Sequence, residues 1–146
     1  LLFRDVADHA QELRGRIEAN RKLVSTSADG ATGWSTPQFH DQLWEPQCMA
    51  SIVAHPAGVL LFSNPHTLPL GKDGKEAPGG RGKRQNLCIK LSRDDGRTWP
   101  VNKVLDPGKA AYSDLAVLPD GTVFCLYEAN TSIDCARFNL EWVTAP

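Results

Sequence analysis

Short β-forming runs separated by tight-turn residues recur along almost the whole chain, and that rhythm restricts it to folds built from antiparallel hairpins. The runs are Leu1–Phe3, Leu23–Ser27, a stretch near Gln38, Ala50–His55, Val59–Ser63, Leu87–Ser92, Val101–Leu105, Ser113–Leu118, Thr122–Glu128 and Ile133–Asn139. Between them stand Pro56-Ala57-Gly58, Asp94-Asp95-Gly96 and Pro119-Asp120-Gly121. Pro presets φ, Gly admits positive φ and Asp caps its own turn, so these triplets predict tight reversals. Hairpins strung in this way close as a sandwich, a barrel or a propeller. Two segments break the rhythm. Asp5–Asn20 is charged and places Ala7, Ala10, Leu13 and Ile17 at roughly helical spacing, as in a short surface helix. His66–Lys83 is rich in Gly, Lys and Pro and reads as a long mobile loop, of the kind that borders a binding site.

One turn carries a motif. Ser92-Arg93-Asp94-Asp95-Gly96-Arg97-Thr98-Trp99 matches S-x-D-x-G-x-T-W, the Asp-box. The Asp carboxylate accepts backbone N–H groups within the turn, Gly permits its backbone, and Thr and Trp close it, with the indole packing between strands. A degenerate copy, Ser27-Ala28-Asp29-Gly30-Ala31-Thr32-Gly33-Trp34, has Ala31 where Gly is expected. The copies begin 65 residues apart. A four-stranded propeller blade takes about 40–50 residues, and the loop His66–Lys83 accounts for the excess. The strands then group into blades. Leu1–Phe3, Leu23–Ser27 and the run near Gln38 belong to one. Ala50–His55, Val59–Ser63, Leu87–Ser92 and Val101–Leu105 complete a second. Ser113–Leu118, Thr122–Glu128 and Ile133–Asn139 supply three strands of a last blade.

Composition narrows the function classes. The 146 residues, 41% hydrophobic and 23% charged, amount to one domain at most. A formal net charge of -1 makes no electrostatic case for nucleic acid or an anionic membrane as partner. No apolar run approaches the ~20 residues of a membrane span. The N-terminus has neither the basic stretch nor the apolar core of a signal peptide and does not begin with Met, so the chain is expected to start inside a larger protein. Cys48, Cys88, Cys125 and Cys135 form no C-x-x-C pair, and the last three lie in strand-like runs, where buried thiols are expected. His9, His40, His55 and His66 have no metal-ligand spacing, and neither a phosphate loop nor a G-x-S-x-G elbow occurs.

A more specific pattern lies in Leu60-Leu61-Phe62-Ser63-Asn64-Pro65, in Arg84 to Ser92, and above all in Ala111-Tyr112-Ser113-Asp114-Leu115-Ala116-Val117-Leu118-Pro119-Asp120-Gly121 followed by Leu126-Tyr127-Glu128. In order and spacing these segments resemble the C-terminal half of bacterial and animal sialidases of the Asp-box type, from about Leu1 to Trp142. The resemblance implies an all-β fold, a partial six-bladed β-propeller of about two and a half four-stranded antiparallel blades, with residues 1–146 as the C-terminal part of the domain. Phe138-Asn139-Leu140-Glu141-Trp142 looks like the end of such a propeller. It implies a retaining exo-α-sialidase activity for the intact protein, a sialylated glycan as substrate and no cofactor. It favours a secreted, periplasmic or lysosomal location, and leaves the oligomeric state open.

Site residues follow from the same resemblance. Sialidases clamp the substrate carboxylate with three arginines, a task suited to a planar, permanently charged, bidentate donor. Arg84 matches the third position, with Arg81 as a competitor, and Arg4 the second, with Arg21 as its rival. The first arginine lies upstream. The family nucleophile is a tyrosine, the exception among glycosidases, and Tyr112 matches it. A neutral phenol approaches an anomeric carbon bearing a carboxylate with less repulsion than Asp or Glu. The general acid and the glutamate base lie before Leu1. Glu128 matches a glutamate that holds an arginine in place, and is expected to be buried. Asp114 reads as structural. Gln47, Cys48 and Ser51 resemble a strand passing near the substrate. The rival reading is a propeller that binds carbohydrate or protein without hydrolysis. A third is an Asp-box hydrolase for another glycan, disfavoured by the arginine pair.

Overall fold

The computed structural model describes residues 20–77 and 82–146. The expected strand Leu1–Phe3, all but the last residue of the expected helix Asp5–Asn20, and the side chains of Arg4 and Arg81 lie outside these residues. The chain runs β1 (Arg21–Val24), β2 (Gln38–Trp44), β3 (Ser51–His55), β4 (Val59–Pro65), β5 (Gln85–Ser92), β6 (Val101–Val117), β7 (Val123–Ala129), β8 (Ser132–Phe138) and a terminal helix α1 (Leu140–Thr144). All pairings are antiparallel. β1 and β2 form a two-stranded sheet, and β3-β4-β5-β6-β7-β8 follow one another in sequence order.

β6 corrects the sequence reading. Val101–Leu105 and Ser113–Leu118 are not separate strands but the two halves of one 17-residue strand. Its first half pairs with β5 and its second half with β7. The ladder changes partner instead of ending, so no turn is needed. Irregular register around Leu87 and between Ala110 and Ser113 marks the changeover. Pro107, which has no N–H to give, sits in this stretch, where a strand tolerates it. The outer strand of one blade thus runs on as the inner strand of the next. The result is an all-β, partial propeller arrangement.

Alternation along the strands makes two cores. Val59, Leu61, Leu87, Ile89 and Leu91 face β6–β8 and form one cluster with Leu115, Val123, Cys125, Phe138 and Val143. Phe62, with Leu60 and Ile52, faces the other way and meets Leu43, Trp99 and Val24. The middle blade is covered on both sides, which is why Leu87 to Ser92 are all buried. Lys90 is part of that run. Its Nζ donates to Asn64 Oδ1 at 2.5 Å and lies over the Phe62 ring at 5.5 Å. Burial pulls its pKa down to about 8. Val143, from the short helix capped by Asn139, closes one end of the first cluster.

Three further expectations need correction. Cys88 and Cys125 are buried, but Cys135 is exposed. It shares a face of β7–β8 with Leu126 and Ile133, which are 51% and 64% exposed. That face has no covering element among the described residues. The segment after His66 is not structureless. Leu70 bridges Glu76, and Gly71, Gly74 and Ala77 donate backbone bonds within the same small turn. Glu76 in turn pairs with Arg21 at 2.9 Å and accepts from Asn20. In the degenerate Asp-box, Gly30 rather than position 31 takes the glycine role. It has φ 73° and donates to Ser27 Oγ, as Gly96 does to Ser92 Oγ. Thr32 donates to Asp29 through backbone and hydroxyl, as Thr98 does to Asp94. The same network is built one residue shorter. No helix among the described residues is long and apolar enough to cross a membrane.

Candidate functional site

Two parts of the sheet bring Arg84 and Tyr112 together. Arg84 enters β5, and its carbonyl accepts from Ala110 N at 3.2 Å. Tyr112 stands two residues beyond Ala110, just past the changeover in β6. The Arg84 guanidinium lies 5.0 Å from the centroid of the Tyr112 ring, within cation–π range. Nη2 donates to the carbonyl of Gln47 at 2.7 Å. Tyr112 is 41% exposed. Arg84 and Glu128 line one open cavity of about 460 Å³ with Ala110 and Ala111.

Glu128 departs from expectation. It is exposed rather than buried, because it lies on the uncovered face of β7. Its Oε2 accepts from the backbone N of Tyr112 at 3.4 Å. It therefore touches the strand that carries the tyrosine, whereas the close ion pairs among the described residues are Arg21–Glu76 and Lys22–Glu45. Arg21, the rival of Arg4, is turned to Glu76 and to the Trp44 ring. Arg4 itself lies outside the described residues.

Asp114 is exposed and hydrogen-bonds to a neighbouring strand. Its Oδ1 accepts from Ser51 Oγ at 2.8 Å, and Ser51 Oγ accepts from Leu115 N at 3.0 Å. Ser63 and Ser113 share a buried hydroxyl contact of 2.8 Å beside it. These bonds lock the inner strands of adjacent blades and hold the start of the second half of β6, where Tyr112 sits. On the opposite side of the middle blade the Asp-box acts as a rivet. Asp94, held by Thr98 and Ser92, has its pKa lowered to about 2, and Trp99, 4% exposed, packs on Phe62 with centroids 5.6 Å apart. Asp29 is held low by Thr32 in the same manner.

Gln47 and Cys48, expected on a strand near the substrate, lie instead in the loop Glu45–Cys48 that precedes β3, and the parts played by Glu45 and by the Gln47 carbonyl were not legible. Gln47 contributes its carbonyl to Arg84, and has φ 60°, unusual for a residue with a Cβ. Cys48, beside Arg84, is buried, and desolvation raises its thiol pKa to about 11, so it stays protonated and unreactive at neutral pH. Among the described residues no group of His, Cys, Asp and Glu could hold a metal ion.

Asp-box rivets, antiparallel blades and a strand shared between them define a partial β-propeller with a cation and a phenol at one end of its blades. A family model for the BNR repeat-like domain matches residues 3–125, and the chain belongs to that family. It is 37% identical over 139 residues to a sialidase of Micromonospora viridifaciens, which covers 89% of this chain and 20% of that protein. The chain thus spans about a fifth of the curated relative. Among solved structures, Hadza microbial sialidase Hz136 superposes with a TM-score of 0.66 at 32% identity, over 86% of this chain and 24% of that one. The intramolecular trans-sialidase of Ruminococcus gnavus gives a TM-score of 0.66 at 18% identity, over 88% of this chain and 30% of that one, a likeness of fold.

Proposed function

We propose that the protein carrying this domain is a retaining exo-α-sialidase, with Tyr112 as nucleophile and Arg84, together with Arg4, as the clamp on the substrate carboxylate. The observation that carries this reading is the placement of the Arg84 guanidinium 5.0 Å from the Tyr112 ring beside an open cavity. Homology to sialidases supports it. A guanidinium next to the phenol draws the carboxylate of an acidic sugar to the point where the phenol faces the adjoining anomeric carbon. It also favours the phenolate that forms as the proton leaves.

The phenolic oxygen forms a bond to the anomeric carbon as the glycosidic C–O bond breaks. The phenolic proton passes to a carboxylate base, and the departing oxygen takes a proton from a carboxylic acid, both upstream of Leu1 in the family pattern. Water then releases the sugar from Tyr112 with retention. Glu128, against the backbone N of Tyr112, steadies the nucleophile's strand and offers its second oxygen to a cation. No cofactor is required.

A sialosyl fluoride bearing fluorine at the neighbouring carbon forms the covalent intermediate and slows its hydrolysis. Incubated with the intact protein and digested, it is expected to label the peptide containing Tyr112, as read by mass spectrometry, and to leave Tyr112→Phe unlabelled. A label on another residue, or binding of sialosides without turnover or label, sinks the hydrolase reading in favour of a binding propeller.

A further inference from the structure

We infer that Lys22 and Glu45 are positioning residues that act through the Gln47–Cys48 peptide to aim the Arg84 guanidinium. The inference rests on the reading of Arg84 as the carboxylate clamp. One peptide unit joins the two ends of the argument. Its N–H, that of Cys48, donates to Glu45 Oε1 at 2.6 Å. Its carbonyl, that of Gln47, accepts from Arg84 Nη2 at 2.7 Å. A peptide is planar, with N–H and C=O pointing in opposite directions. A carboxylate that holds the one therefore fixes the direction of the other. Gln47 is at φ 60°, a conformation that persists only where its surroundings enforce it. Released from Glu45, the unit is free to rotate, and its carbonyl leaves Arg84.

Lys22 closes the clip. Its ammonium pairs with Glu45 Oε2 and donates to the carbonyl of Cys48 at 2.6 Å. The two side chains are only 13% and 20% exposed, so solvent screens the pair little. Glu45 uses both oxygens, one on Lys22 and one on Cys48 N–H. The far side of the loop is fixed as well. Pro46 is fully buried, and Gly82, two residues before Arg84, lies so close that a Cβ there would stand 2.7 Å from Pro46 Cβ. The loop and the segment leading to Arg84 thus form one packed unit. A guanidinium has five N–H donors. With one on Gln47 and its face toward the Tyr112 ring, the group is held from two sides and its other donors remain for a ligand.

Glu45→Gln separates positioning from a simple field effect. Lys22 and Cys48 N–H use different oxygens of Glu45, and an amide keeps an acceptor at only one of them, with an NH2 group that repels the other donor. It also removes a negative charge near the clamp, which by field alone tightens the binding of an anion. In the intact protein, inhibition constants are measured for an unsaturated sialic acid analogue and for its methyl ester, which has no carboxylate. Glu45→Gln is expected to weaken the acid about five- to tenfold, the size of one ordinary hydrogen bond, and to leave the ester unchanged. Lys22→Met is expected to do the same and Lys22→Arg to restore most of the loss. Added to Arg84→Ala, Glu45→Gln is expected to cost nothing more. Unchanged or tighter acid binding in Glu45→Gln, or equal losses for acid and ester, or full additivity with Arg84→Ala, overturns the inference while the clamp stands. If Arg84→Ala leaves the preference for acid over ester intact, the clamp itself fails, and the positioning role with it.

Discussion

The role proposed for Arg84 rests on geometry as much as on charge. Its guanidinium meets a carbonyl on one side and an aromatic face on the other, and both contacts depend on a flat, delocalised cation. Arg84→Lys keeps the charge but loses the fork. In the intact protein it is expected to raise KM for a sialoside about tenfold or more, with a smaller change in kcat, in steady-state assays. An unchanged KM would show that a point charge suffices there. Tyr112 and Arg84 were recognisable because each sits in a distinctive stretch of sequence. Gln47 was expected near the substrate, but not the contact of its carbonyl with Arg84, and Glu45 and Lys22 were not recognisable, since a backbone carbonyl can come from any residue and the ion pair joins positions 23 apart, one on β1 and one in a loop. The position of Glu128 after Leu126 and Tyr127 was plain, but its exposure was not, because burial depends on what covers its face of β7.

At the scale of elements, the Asp-boxes separate turn chemistry from packing. Both form the same serine–aspartate–threonine network, in different lengths. Only one delivers a tryptophan to the core: Trp99 is buried on Phe62, whereas Trp34 is half-exposed. Trp99→Ala is expected to cost about 3–5 kcal/mol in urea unfolding, with Trp34→Ala costing much less. Equal losses would show that the turns rather than the ring hold the blades. The middle blade also buries Lys90. Its pKa of about 8 in the fold rises to the ordinary ~10.4 on unfolding. Between those values the unfolded chain binds more protons, so the contribution of Lys90 to stability climbs as pH rises through that window and is least favourable below it. Urea midpoints of the protein are therefore expected to gain on those of Lys90→Met between pH ~8 and ~10. A constant difference would mean that Lys90 titrates normally.

At the scale of the molecule, the described strands end in open ladders at β3 and β8, and the outer face of β7–β8 carries exposed Leu126, Ile133 and Cys135. Unpaired edges and uncovered apolar faces promote association. Expressed by themselves, the 146 residues are expected to self-associate in light scattering and to show no turnover of a fluorogenic sialoside. Robust turnover would mean that the acid and base lie within this chain. The sequence by itself determined the tight turns, the approximate place of most described strands and the match of arginine and tyrosine to a family pattern, because each rests on bonds between near neighbours or on a local string of residues. The Asp94 network spans Ser92 to Thr98 and needs nothing beyond it. Only the tertiary structure decided that two predicted strands are one, that Cys135 faces outward, and that the Gln47 carbonyl accepts from Arg84. Those outcomes depend on which distant strand supplies the next hydrogen bond and which surface covers a face, and neither is written in any local stretch of the chain.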